Sequence, residues 1–313
     1  MRYSVRWSGR RWVFWALCGF AAAGCGSGGV GSDEPGAYEA EIEQWRAERL
    51  ELLKGPDGYL NLAGLFWLQS GASTLGSAAD NTIVLPHKAA PRVGALQVSE
   101  AGVVMVAEPG VDVRFDGIPV RSILMSDDTT EYPVKITHGA LEWSVIKRAD
   151  RFALRLRDYE HPAIESFPAL EYYPVNRELR VSARFEQYPE PKLLNVDTVI
   201  EGLGWQPESP GVVVFEIDGQ DFKLEAYASG KELFFVFGDQ TSGRETYPAG
   251  RFLYADRPAD GTDTILDFNR AYNPPCAFND FATCPVASPQ NRLATRIEAG
   301  EKFDPAVHHT PGI

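Results

Sequence analysis

The chain reads as mainly β, with antiparallel β-sandwich or barrel modules preceded by one amphipathic helix. Three observations predict this. Short apolar runs recur at close spacing, Asp-Gly pairs stand between two sets of them, and helical periodicity is confined to residues 37–54. Many short strands separated by turn residues suit a sandwich or barrel.

In residues 37–54, Tyr38, Ile42, Trp45, Leu52 and Leu53 recur at helical spacing, while Glu39, Glu41, Glu43, Arg46 and Glu48 fill the other faces. Acids come early and Lys54 comes last, as the helix dipole favours. Gly55-Pro56 stops the helix. Beyond it, residues 59–68 could lie along a sheet. Residues 82–85, 103–106, 111–115, 118–120, 141–146 and 152–157 read as strands, with Asp116-Gly117 as a tight turn. Residues 161–168 read as irregular and divide two modules, 37–160 and 161–305. In the second module, residues 179–185, 194–200, 212–217, 222–226 and 233–237 read as strands, with Asp218-Gly219 as a second hairpin signal.

The first 24 residues have the pattern of an export signal. Arg2, Arg6, Arg10 and Arg11 precede a short apolar run, residues 12–20, and small residues lead to Cys25. That run is shorter than the roughly 20 residues a membrane span needs. Ala22-Ala23-Gly24-Cys25 resembles a bacterial lipobox, which implies lipidation of Cys25; a plain secretory signal is the alternative. Residues 25–36 then form a Gly/Ser-rich tether, and residues 306–313, with His308-His309, a tail. The resemblance implies a lipid-anchored envelope protein, and Gly26 suits the outer membrane facing the periplasm.

The net charge is −13, and removing the signal leaves 26 basic against 43 acidic residues, or −17. Sequence-independent nucleic-acid binding needs a basic face, so that partner is not expected. Of four cysteines, Cys18 leaves with the signal and Cys25 takes the lipid. Cys276 and Cys284 remain, and in an oxidising compartment they are expected to pair as a disulfide. A tetrahedral metal site would want two more ligands, and no Cys or His lies nearby. No metal or cofactor is therefore expected.

Two resemblances follow from short motifs. Leu75-Gly76-Ser77 and residues 81–85 look like the opening of a forkhead-associated β-sandwich. That family grips phosphothreonine with an Arg after the Leu-Gly pair and a Ser and His in the next loop. Here Ser77 and Pro91-Arg92-Val93-Gly94 stand instead, so the resemblance implies architecture and not phosphopeptide binding. The stretch Asp267-Phe268-Asn269-Arg270-Ala271-Tyr272-Asn273-Pro274-Pro275-Cys276, preceded by Asp239, Ser242-Gly243, Thr246-Tyr247 and Gly250-Arg251, resembles the C-terminal signature of DUF1684. This family has no assigned reaction, and the likeness covers roughly the C-terminal two-thirds of the chain.

The signature nominates Asp239, Ser242, Tyr247, Arg251, Asp267, Asn269, Tyr272 and Asn273 as ligand-binding candidates. In one reading they converge on a pocket walled by the disulfide loop, with two carboxylates as acid and base and Arg251 holding an anion. In the other, Asp239 and Asp267 pair with Arg251 and Arg270, while the asparagines bind the backbone of a proline-rich loop. No nucleophile elbow, P-loop, dinucleotide fingerprint or zincin motif occurs. The expected function is binding of a small molecule or glycan near the signature. A carboxylate-dependent hydrolase and a structural partner in an envelope assembly remain as alternatives.

Overall fold

The computed structural model describes residues 36–305. The export segment, Cys25, the tether up to Pro35 and the tail from 306 onward lie outside the described residues. The helix spans Ala37–Lys54, as its periodicity predicts. Its buried residues are Ile42, Leu53 and, unexpectedly, Arg49, while Leu52 of the expected apolar stripe is 49% exposed. The reason is the surface it meets, which is polar: Glu39 pairs with Arg177, Glu41 with Arg270 and Arg49 with Glu301. No helix among the described residues is long and apolar enough to cross a membrane.

Strands between Leu62 and Asp158 build two sheets. One runs Leu62–Trp67, Arg151–Asp158, Leu141–Arg148, Lys135–His138, Arg114–Phe115 and Ile118–Pro119, all antiparallel. The other runs Ile83–Val84, Gly71–Gly76, Gly94–Ser99, Gly102–Ala107 and Ser122–Met125, with only its first pair parallel. Leu75, Leu96 and Met105 from the second sheet share one core with Ile136, Trp143 and Leu154 from the first, so the two form a sandwich. At the Leu-Gly step, a Cβ on Gly76 would collide with the backbone of Pro91 and Arg92.

A third sheet orders Arg251–Asp256, Glu232–Phe237, Gln220–Ser229, Glu208–Ile217, Arg180–Leu193 and Asp263–Asp267. Its two edge strands lie against each other, and Thr264 Oγ1 donates to the Asp256 carbonyl at 2.8 Å. The sheet thus curls into a nearly closed barrel around Phe185, Phe235, Phe237, Leu253 and Phe268. Both Asp-Gly turns have two successive left-handed residues, with φ 48° and 75° at Asp116-Gly117 and 52° and 74° at Asp218-Gly219. These match the twist of the strands they join.

Several expected elements differ. Residues 194–200 contribute only Val196–Asp197, paired with Gly204–Trp205, because Thr198 Oγ1 turns the chain by donating to the Leu203 carbonyl at 2.7 Å. Residues 111–115 are strand only at Arg114–Phe115. Residues 161–168, expected to be irregular, contain the short helix Pro162–Ser166, whose first N–H groups are capped by His161 Nδ1, accepting from Ala163 at 3.2 Å. The strands not anticipated include Gly71–Gly76, Gly94–Ser99, Ser122–Met125, Lys135–His138 and Gly204–Trp205. Their Gly, Ala, Ser and Lys content hides them, since sheet neighbours rather than propensity hold them.

Candidate functional site

Register places the first two candidates. Phe237 pairs with Arg251, so Arg251 opens its strand where the neighbouring strand gives way to Gly238-Asp239. Arg251 points to the barrel side, where it is 0% exposed, and its Nη2 donates to Asp239 Oδ2 at 2.8 Å. The same guanidinium donates to the carbonyls of Ile297, at 2.9 Å, and Ala299. Asp239 Oδ1 accepts from the backbone N–H of Thr241 at 2.7 Å. The pair therefore pins the chain after residue 296 against the barrel. Ser242 Oγ accepts from the Asp239 N–H at 3.1 Å and shapes the same turn.

Asp267 and Asn269 form a second group. Asp267 caps the short 3-10 turn Phe268–Arg270. It accepts from the Tyr38 hydroxyl at 2.8 Å, and its other oxygen lies 3.4 Å from Arg270 Nε. Asn269, fully buried, accepts from the Asn176 N–H at 2.8 Å and donates to the Asn176 carbonyl and the Tyr38 hydroxyl. It holds the helix, the 176 turn and the signature at one point.

Asn273 belongs to a third group, with Arg49 and Glu301. Glu301, 0% exposed, accepts from Arg49 Nε at 2.9 Å and from the Asn273 N–H at 2.7 Å. Arg49 also donates to the Asn273 carbonyl at 3.0 Å, and its guanidinium lies 4.4 Å from the Tyr272 ring centre. Burial, then the opposing Glu301 charge, sets the ionisation of Arg49, with the carboxylate holding it charged. Tyr247 stands apart: its hydroxyl donates to the Cys276 carbonyl at 3.1 Å.

The eight candidates thus fall into separate buried networks rather than one cavity. Asp239 and Asp267 each meet arginine, as the second sequence reading expects, and Asn269 and Asn273 bind backbone. Cys276 and Cys284 form a disulfide with Cα atoms 6.1 Å apart. Among the described residues no group of three His, Cys, Asp or Glu could hold a metal. A cleft of about 350 Å³ lies in the sandwich, lined by residues 107–112 and 119–121, none from the signature.

One candidate faces outward into a different setting. Phe252 and Tyr254 alternate with the inward Leu253, and Phe234 alternates with Phe235, so an aromatic face forms on the outside of the barrel. Phe234 stacks 4.8 Å from Tyr254 and 4.9 Å from Phe252, Phe252 lies 5.8 Å from Tyr272, and Trp205 meets Phe234 at 6.2 Å. The half-buried rings of Tyr272 and Tyr59 lie against Arg49, and Tyr254 neighbours both of them. Burial pushes the Tyr272 hydroxyl well above its ordinary value, reinforced by the neighbouring Tyr254 and Tyr59. Sequence reasoning missed Tyr59, Tyr254, Arg49 and Glu301. The alternation in Arg251-Phe252-Leu253-Tyr254 was the available signal for Tyr254.

A sandwich joined to a nearly closed barrel, with an irregular polar signature at the joint, defines the class of protein. Residues 165–302 match the family model DUF1684, described as a protein of unknown function. The likeness to that family covers residues 165–302 and begins later than the expected C-terminal two-thirds of the sequence. No curated protein matches the chain. Among solved structures, an uncharacterised protein of Haloarcula marismortui is 28% identical, with 45% of this chain and 79% of that one covered, at a TM-score of 0.39. The second forkhead-associated domain of an ABC transporter of Mycobacterium tuberculosis is 23% identical, with 28% and 77% covered, at a TM-score of 0.22.

Proposed function

We propose that this is an exported, lipid-anchored envelope protein that binds a small molecule or glycan on the aromatic face bounded by Tyr59, Tyr254 and Tyr272. The observation that carries the reading is the convergence of three half-buried tyrosines from three separate segments, Tyr59 and Tyr272 against Arg49 and Tyr254 beside both. Aromatic rings with hydroxyl edges suit a sugar, whose C–H face stacks while its hydroxyls hydrogen-bond. Arg49 is spent on Glu301 and Asn273, so the face favours a neutral ligand over an anion. The Cys276–Cys284 bond supports an oxidising compartment, and the lipobox-like Cys25 supports the anchor.

The hydrolase reading has less behind it, since both signature carboxylates are committed to internal partners. An assembly role gains from Val84, Val106 and Leu124, which are exposed on the five-stranded sheet. The test is a thermal-shift screen against envelope glycans, with Tyr254→Ala and Tyr59→Ala alongside. A ligand at 100 times its dissociation constant adds about 2.7 kcal/mol. The expected result is a glycan-dependent shift that both folded variants lose. A shift that both variants retain would move the site elsewhere.

A further inference from the structure

We propose that the disulfide-closed loop, residues 276–284, is a redox-sensitive clamp coupling the sandwich and the N-terminal helix to the barrel. Nine residues reach four other segments. Phe278, 1% exposed, packs on Phe167 at 5.9 Å and on Tyr59 at 6.4 Å, in a cluster with Leu53 and Leu60 behind the helix. Asn279 Nδ2 donates to the Tyr59 carbonyl at 3.0 Å. Thr283 Oγ1 accepts from Arg148 Nε at 3.0 Å, which fastens the end of a sandwich hairpin, and Arg148 is itself held by Asp128. On the barrel side, backbone bonds anchor the loop's exit: Val286 N–H to the Asp197 carbonyl at 2.8 Å and Ala287 N–H to the Ala249 carbonyl at 2.7 Å.

The ring meets both halves of the molecule. Ala282 and Cys284 pack with Tyr227, Phe234, Val236 and Phe252 on the outer face of the barrel, and the Val199 N–H donates to the Cys284 carbonyl at 2.9 Å, while Phe278, Asn279 and Thr283 reach the rest of the chain. With the ring closed, Phe278, Asn279 and Thr283 are presented together. Opening it gives each freedom the others no longer restrict. The inward-facing core of the barrel contains no residue of the loop, which covers only the outer face through Ala282 and Cys284, so that core survives the change. Cys276 is half-buried and Cys284 is 3% exposed, which makes the Cys276 sulfur the one open to attack. A dithiol reductant bonds through one thiolate to Cys276, the Cys276–Cys284 bond breaks and Cys284 takes up a proton. The second thiol of the reductant then closes its own ring and releases Cys276 as a thiol. Two electrons and two protons pass to the protein, and the reductant leaves as its disulfide.

The experiment is hydrogen exchange on the full chain, oxidised and after dithiothreitol, with alkylation counted by mass. The expected result is at least tenfold faster exchange over residues 59–62, 145–151 and 276–281, with strand Glu208–Ile217, whose Val213 and Phe215 face the barrel interior, unchanged. Phe278→Ala, with the bond intact, should reproduce the change at residues 59–62. Unchanged exchange in doubly alkylated protein overturns the clamp. So does equal loss of protection in strand Glu208–Ile217, or a bond that dithiothreitol does not open in the folded protein.

Discussion

The Tyr38 hydroxyl donates to the Asp267 carboxylate at 2.8 Å, across 229 residues of sequence. It joins the first turn of the helix to the first residue of the signature, and Asn269 donates back to the same hydroxyl at 2.9 Å. A hydrogen bond to a charged group contributes about 1.5–3 kcal/mol. Tyr38→Phe should lower stability by that amount in urea titration while leaving far-UV circular dichroism unchanged. A loss under about 0.5 kcal/mol would mean the helix is held by its other contacts, Arg49 to Glu301 and the buried Leu53 among them.

Arg251 and Asp239 form an ion pair with both side chains sealed from solvent. Removing one partner of such a pair costs about 3–5 kcal/mol, because the other is left charged in a dry site. Arg251→Met and Asp239→Asn should each fall in that range. Replacing both is often neutral for an isolated pair, but Arg251 also binds the carbonyls of Ile297 and Ala299. The double variant Asp239→Leu with Arg251→Met should therefore recover little stability. Recovery to near wild type would show that those carbonyls find other partners.

Asn291, beyond the signature and the disulfide loop, is a wedge. Strands Gln220–Ser229 and Glu232–Phe237 pair only at Tyr227, Ala228 and Ser229, and beyond Tyr227 the Asn291 amide fills the opening. It accepts from the Glu225 N–H at 2.7 Å and donates to the carbonyls of Glu225 and Val236 at 3.0 and 3.1 Å. Asn291→Leu leaves those buried groups without partners, at about 1–3 kcal/mol each. The expected result is a loss of about 3 kcal/mol or more, with faster amide exchange at Glu225. A near-neutral variant would mean that the two strands zip together without the wedge.

Burial raises the hydroxyl pKa of Tyr38, Tyr159, Tyr173, Tyr254 and Tyr272, with carboxylate or tyrosine neighbours reinforcing it, and Tyr188 is pushed up to about 12. A folded-state value above the unfolded one favours the protonated form in the fold. That contribution is complete below the ordinary tyrosine value near 10 and is lost as pH rises through the folded values. Stability should thus be insensitive to these groups below about pH 9 and fall steeply beyond pH 10. The phenolate absorbance of these six tyrosines, read as the loss of signal in their Tyr→Phe variants, should rise together with unfolding rather than before it. A gradual rise from them in folded protein would contradict the burial.

Much of the fold was legible because it rests on local chemistry. The helix from 37 to 54 follows from periodicity within the segment, and the turns at Asp116-Gly117 and Asp218-Gly219 from residues that accept positive φ. The strand read over 152–157 follows from alternation and that over 141–146 from its apolar run; they extend to Arg151–Asp158 and Leu141–Arg148. Strands such as Gly94–Ser99 were not legible, since their Gly, Ala and Gln residues become strand only between Gly71–Gly76 and Gly102–Ala107. The signature was legible as a polar group that must be satisfied. Its partners were not, because Arg49, Tyr38, Asn176 and Glu301 carry no local mark of the contact.

The amino-acid order by itself determined the β class, the single leading helix, the pairing of Cys276 with Cys284 and the likeness of the C-terminal signature to DUF1684. Each of these depends on neighbours in the chain or on a motif read in one place. Only the tertiary structure decided that Asp239 is locked to Arg251, that Asp267 answers Tyr38, and that Tyr254 and Tyr272 turn outward beside Tyr59. A buried polar group must find a partner, but which partner depends on strand register and on how the sheet closes. Those are set by contacts hundreds of residues apart, and no local pattern encodes them.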